Sequence, residues 1–103
     1  MNRTIRLAWL GGYLALALSG CSPAQIGPDD DAFKAVDALY TAVSLRDPKL
    51  VARCDAKLKA LLAANKLPAG AAKSLDAIIA EAGQSNWEPA IDHLSSFMEG
   101  QRR

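Results

Sequence analysis

The sequence is short of the side chains that most site chemistry draws on. It has one histidine, His93, and two cysteines, Cys21 and Cys54. Zinc sites take three or four Cys, His or carboxylate ligands at recognisable spacings; no such cluster occurs, so no metal is expected. Aromatic residues make up 6% of the chain. Glycine-rich phosphate loops, nucleophile elbows and metalloprotease signatures are all missing. No cofactor and no enzymatic activity are therefore expected. Charge of one sign is lacking too: 12 basic residues stand against 11 acidic ones. Without a polybasic patch the chain offers nothing to nucleic acid. No sustained period-two alternation occurs, which argues against strands.

What is present begins at the N-terminus. Arg3 and Arg6 precede an uncharged apolar run from Leu7 to Leu18. Secretory h-regions run about 7–15 residues, whereas a spanning helix needs about 20. The run is therefore read as an export signal, and Gly11 and Gly12 weaken it further as a stable helix. It ends in Leu18-Ser19-Gly20-Cys21, which resembles the lipobox of bacterial lipoproteins. That resemblance implies cleavage between Gly20 and Cys21, a thioether diacylglycerol on Cys21 and acylation of the new amine. Small residues before the cut give a peptidase access to the backbone, and the Cys sulfur is the nucleophile that takes the lipid. Two or more acyl chains anchor a protein stably. The expectation is a tethered protein of the cell envelope. Ser22, rather than Asp, follows the cysteine; by the enterobacterial sorting rule this favours the outer membrane, facing the periplasm.

The expected organisation is a cleaved signal over 1–20, a lipidated cysteine with a flexible tether over 21–29, and a helical domain over 30–103. Residues 21–103 carry 10 basic and 11 acidic side chains, close to neutral. The tether, Ser-Pro-Ala-Gln-Ile-Gly-Pro-Asp over 22–29, has two prolines, a glycine and no apolar periodicity. Extended, it would reach roughly 25 Å. Arg102 and Arg103 read as a solvated tail.

Four amphipathic helices are expected next, making an all-α domain. The first runs from about Asp31 to Ser44, with Asp29, Asp30 and Asp31 as capping acids and Phe33, Val36, Leu39, Tyr40 and Val43 on one face. The second opens at Asp47-Pro48, an N-cap followed by proline at the first helical position. Its stripe is Leu50, Val51, Cys54, Leu58, Leu61 and Leu62, and Asn65 can close it. The third starts near Pro68 or Ala69 and ends before Gly83, taken as its left-handed cap; Leu75, Ile78, Ile79 and Ala82 form its stripe. The fourth starts at Ser85 or Asn86, tolerates Pro89 in its first turn, and ends near Gly100. Trp87, Ala90, Ile91, Leu94, Phe97 and Met98 form its face. A closed up-down bundle and a stack of two hairpins both fit this pattern.

Candidate chemistry is sparse. With Cys21 consumed by lipid, Cys54 is a solitary thiol. Its place within the apolar arc makes it a small buried hydrophobe, with an intermolecular disulfide or redox chemistry as the alternatives. His93 lies at the border of an apolar stripe; a nucleophile–base pair with Cys54 would need the two helices to meet. Consecutive acids at 29–31 lack the alternating spacing of a calcium loop and read as a helix start. Trp87, Phe97 and Met98 read as core, with a ligand groove as the alternative.

Several further segments carry a second resemblance. They are Phe33-Lys34-Ala35-Val36-Asp37-Ala38-Leu39, Arg46-Asp47-Pro48-Lys49-Leu50, the run ending Asn65-Lys66-Leu67-Pro68, and Trp87 through Gln101-Arg102-Arg103. Together they resemble small lipoproteins of planctomycete-type bacteria, a family with no assigned activity to carry over. Taken together, the sequence implies a membrane-anchored envelope lipoprotein with a non-enzymatic interaction or structural domain, its protein partner unspecified. The alternative is a periplasmic carrier that holds a small apolar ligand between its helices.

Overall fold

The structure is a computed structural model and describes residues 24–101. The expected signal segment over 1–20, Cys21, Ser22, Pro23, Arg102 and Arg103 lie outside the described residues. Four helices and no strand are found among those described: α1 Asp30–Ser44, α2 Pro48–Ala63, α3 Ala69–Gly83 and α4 Trp87–Glu99. The all-α expectation holds.

Two of the four helix starts are capped by an aspartate side chain. Asp29 caps α1 through its carboxylate, which accepts from the Ala32 N–H at 3.0 Å. Asp47 caps α2 and accepts from the N–H groups of Lys49 and Leu50 at 3.0 and 3.2 Å. Pro48 then occupies the first turn, where no N–H is needed. By contrast, Pro68 and Asn86 stand at the caps of α3 and α4 without a side-chain cap bond.

The helix ends share one device. Arg46, Asn65 and Ser85 all have positive φ, at 54°, 60° and 62°. Each sits one residue past a helix cap. The amide that follows it bonds back across the turn: Asp47 N–H to Ala42 C=O at 3.1 Å, Lys66 N–H to Leu61 C=O at 2.9 Å, Asn86 N–H to Glu81 C=O at 3.0 Å. These are three Schellman closures, which satisfy the last carbonyls of α1, α2 and α3. Asn65 is where the sequence placed it. Gly83 is not: it lies inside α3, and Ser85 takes the left-handed position. The reason is the connection to α4. The left-handed residue directly precedes the next N-cap, Asp47 or Asn86, in both three-residue links, so the position of Asn86 selects Ser85.

The helices close into a ring. α1 packs on α2 and α4, and α3 packs on α2 and α4. This is the up-down bundle rather than a stack of hairpins. Two contacts mark its ends. Lys66, just past α2, lies 3.4 Å from Asp31 at the start of α1. Arg46, just past α1, lies 3.9 Å from Glu88 at the start of α4.

The core is apolar throughout, with no buried polar or charged residue among the described ones. Val36, Leu39 and Val43 of α1 meet Val51, Leu58 and Leu61 of α2, Leu75, Ile78 and Ala82 of α3, and Ala90, Leu94 and Phe97 of α4. Small Ala32, Ala42, Ala71 and Ala90 are all at most 1% exposed; having no side chain beyond Cβ, they let the helices approach closely. Tyr40 and Leu62, expected on apolar faces, are exposed at their margins.

The flexible-tether expectation is corrected from Ala24 onward. Ile26 is 1% exposed and belongs to the core, as does Leu67 of the α2–α3 connection. Burying one such side chain contributes about 1.5–3 kcal/mol relative to exposure, enough to dock a short segment that a loop-like composition would leave free. The folded domain therefore begins before residue 30.

Candidate functional site

Cys54 stands on α2 and is packed against the core but only half-buried, less than the buried position expected from its stripe. Burial pushes its thiol pKa up. A reactive cysteine needs the opposite, a thiolate favoured by cations or a helix N-terminus. Arg53 and Lys57 are exposed neighbours in sequence, yet desolvation is the resolved cause.

His93, on α4, is well exposed at 61% of its side chain, and its Nδ1 lies 2.7 Å from Glu81 Oε1 on α3. Cys54 and His93 belong to α2 and α4, which are not among the packed helix pairs. Cys54 therefore does not share a helix interface with His93. Instead, the histidine pairs across the α3–α4 interface, a contact that no spacing in the sequence announced.

The acidic run at 29–31 starts α1. Asp29 is the cap, and Asp31 pairs with Lys66. Among the described residues no group of three or more His, Cys, Asp or Glu is placed to hold a metal ion.

Trp87, Phe97 and Met98 do not line one groove. Phe97 is 5% exposed, within the core. Trp87 stands ten positions earlier, about 15 Å away along α4, and lines an open groove of about 250 Å³ with Pro48, Val51, Ala52, Ile79 and Ala82. Asp55 stands at this groove too, with its carboxylate 2.9 Å from Lys59 Nζ. Lys59 gains a raised pKa from that bond.

The best-built polar arrangement lies at the opposite end, where sequence reasoning placed a tether. Gln101 follows α4. Its Oε1 accepts from the Ile26 N–H at 2.6 Å. Its Nε2 donates to the Ala24 C=O at 2.9 Å and to the Phe97 C=O at 2.8 Å. In return, Gln25 Nε2 donates to the Gly100 C=O at 3.0 Å. The segment before α1 is thus clasped to the end of α4. Gly27 makes the bend, at φ 90°, under Pro68: a Cβ built there would lie 3.6 Å from Pro68 Cγ. A Cβ at Gly70 would lie 3.6 Å from that of Ala24, so the clasp also covers the start of α3.

No sequence signal isolated Gln25 or Gln101. The one available hint was Ile26, a lone aliphatic residue inside a Pro/Gly-rich stretch. Cys21 and Gly20, the expected lipidation and cleavage positions, lie outside the described residues. No helix among those described is long and apolar enough to cross a membrane. Comparison with family models, with curated proteins and with solved structures finds no match for this chain.

Proposed function

We propose that the chain is a lipid-anchored protein of the bacterial cell envelope whose helical domain is a non-enzymatic interaction or structural module. The observation that carries this reading is Leu18-Ser19-Gly20-Cys21 at the end of a short apolar run preceded by Arg3 and Arg6. A small helical bundle with an entirely apolar core suits a module held at a membrane by acyl chains. Its surface contacts include His93 with Glu81 and Lys59 with Asp55.

The intact mass of protein taken from its own membranes tests the anchor. The expected mass is that of residues 21–103 plus acyl chains. An uncleaved mass would overturn it. Crosslinking and co-purification of the lipidated protein test the module; recovery of the domain alone at every concentration would count against it.

A second reading is carriage of a small apolar ligand, supported by the Trp87 groove. Its volume of about 250 Å³ falls slightly below the usual range for ligand sites, about 300–1,000 Å³. Native mass spectrometry of freshly purified protein separates the two readings, because a retained ligand adds mass.

A further inference from the structure

The clasp at the end of the bundle changes what the lipid anchor does. The geometry points to a fixed mount: acyl chains on Cys21 hold the clasped end face of the domain against the lipid headgroups, and the Arg46–Ser85 end faces away from the membrane. This inference rests on the lipoprotein reading and adds an orientation to it.

Three observations carry it. First, chain freedom is short. A tether free to Asp29 would reach roughly 25 Å, but only the steps from Cys21 to Ala24 remain outside the clasp, a reach of about 10 Å. Second, the clasp is held at both ends of its short run. Ala24 and Ile26 are bonded by Gln101, and Ile26 is 1% exposed in the core. Third, every element that meets the clasp is at the same end of the bundle. Gly100 and Gln101 end α4, Pro68 and Gly70 start α3, and Asp31 at the start of α1 pairs with Lys66 beyond α2. The membrane-facing surface is therefore an end face, and the helix axes rise from it.

The partner of this face is the headgroup layer of the anchoring membrane. Among the described residues, Asp29, Asp30 and Asp31 stand at this end, and Asp31 lies 3.4 Å from Lys66. A zwitterionic bilayer carries no net surface charge to draw or repel this face, so there the covalent anchor and the clasp set the orientation, and salt does not release it.

The test uses lipidated protein in phosphatidylcholine vesicles with headgroup-nitroxide lipid. A fluorophore is placed through Ala69→Cys or Gln84→Cys, each in a Cys54→Ala background. Both positions are exposed, and they lie at the two ends of α3, about 22 Å apart. The expected result is at least threefold stronger quenching at position 69 than at 84, with the ratio unchanged by added salt. Gln101→Ala should bring the ratio towards one. In detergent-solubilised lipidated protein, hydrogen exchange at the Ile26 amide should quicken at least tenfold with Gln101→Ala; unchanged exchange would overturn the role of the clasp. Vesicle-bound protein with equal quenching at both positions would overturn the mount and leave the anchor standing. Protein that does not float with vesicles would overturn the lipoprotein reading and the mount with it.

Discussion

The side chain of Gln101 bonds the main chain of Ile26, 75 residues earlier, at 2.6 Å, and uses its two amide hydrogens on Ala24 and Phe97. One residue thus joins the segment before the first helix to the end of the last. Gln101→Ala leaves the Ile26 N–H and the Ala24 C=O without their partner in a half-buried setting. Each such loss costs about 1–3 kcal/mol where water cannot replace the partner, so a total near the lower end of that range is expected. Urea denaturation of the purified domain, with the midpoint falling and the slope kept, checks this.

Ile26→Ala measures how much of the fold depends on the clasp. Large-to-Ala changes at sites as buried as this cost about 2–5 kcal/mol. A free tether would give a change near zero. Leu45→Ala is the control, since Leu45 is 64% exposed and surface changes stay within about 0.5 kcal/mol.

Around the α3–α4 turn, adding a glycine at one position and removing one two residues earlier should both stabilise. Ser85 has φ 62°, a region costly for residues with a Cβ, so Ser85→Gly should stabilise by about 0.5–1 kcal/mol. Gly83 is helical, and a Cβ there meets nothing within 4 Å. Gly83→Ala should therefore stabilise too, by up to about 1 kcal/mol. Had Gly83 been the left-handed cap, the same change would destabilise. Thermal melts of the two variants decide this, since 1 kcal/mol moves the midpoint by about 4–8 °C in a domain of this size.

Burial of Cys54 favours the neutral thiol in the folded state. The folded protein then holds its proton to higher pH than the unfolded chain does. Stability from this group is unchanged below the unfolded thiol's pKa and falls as pH rises through the folded one. Reaction of the native protein with a disulfide reagent should be slower than that of a free cysteine at neutral pH, with its rate rising at a more alkaline pH. In Cys54→Ala, the alkaline loss of stability should shrink. A thiol faster than free cysteine would point to chemistry at Cys54.

Much of the fold was legible because its causes are local. Asp47-Pro48 marks the start of α2 by cap and ring geometry, and stripes such as Val36-Leu39-Val43 expose the helical period directly. What was hidden depends on partners far away in the chain. Ile26 has no periodic neighbours, so composition alone reads its surroundings as linker. Its place in the core goes with bonds between Ile26 and Gln101 and between Gln25 and Gly100, which local pattern does not reveal. Gly83 misled for a related reason: glycine favours a left-handed end, but the N-cap of the next helix decided which residue would occupy it. Of the candidate site residues, Cys54 could be placed from its stripe, whereas the pairing of His93 with Glu81 depends on how α3 and α4 are rotated against each other.

The long sequence separation within the clasp has a consequence for the order of assembly. A contact between Ile26 and Gln101 closes a loop of nearly the whole domain, and such closures follow the formation of nearer contacts. The hairpins of α1 with α2 and of α3 with α4 can form while the leading segment is still loose. Seating Ile26 needs α4 in place. Until the last helix arrives, the segment from Ala24 to Asp29 thus has nothing to latch it.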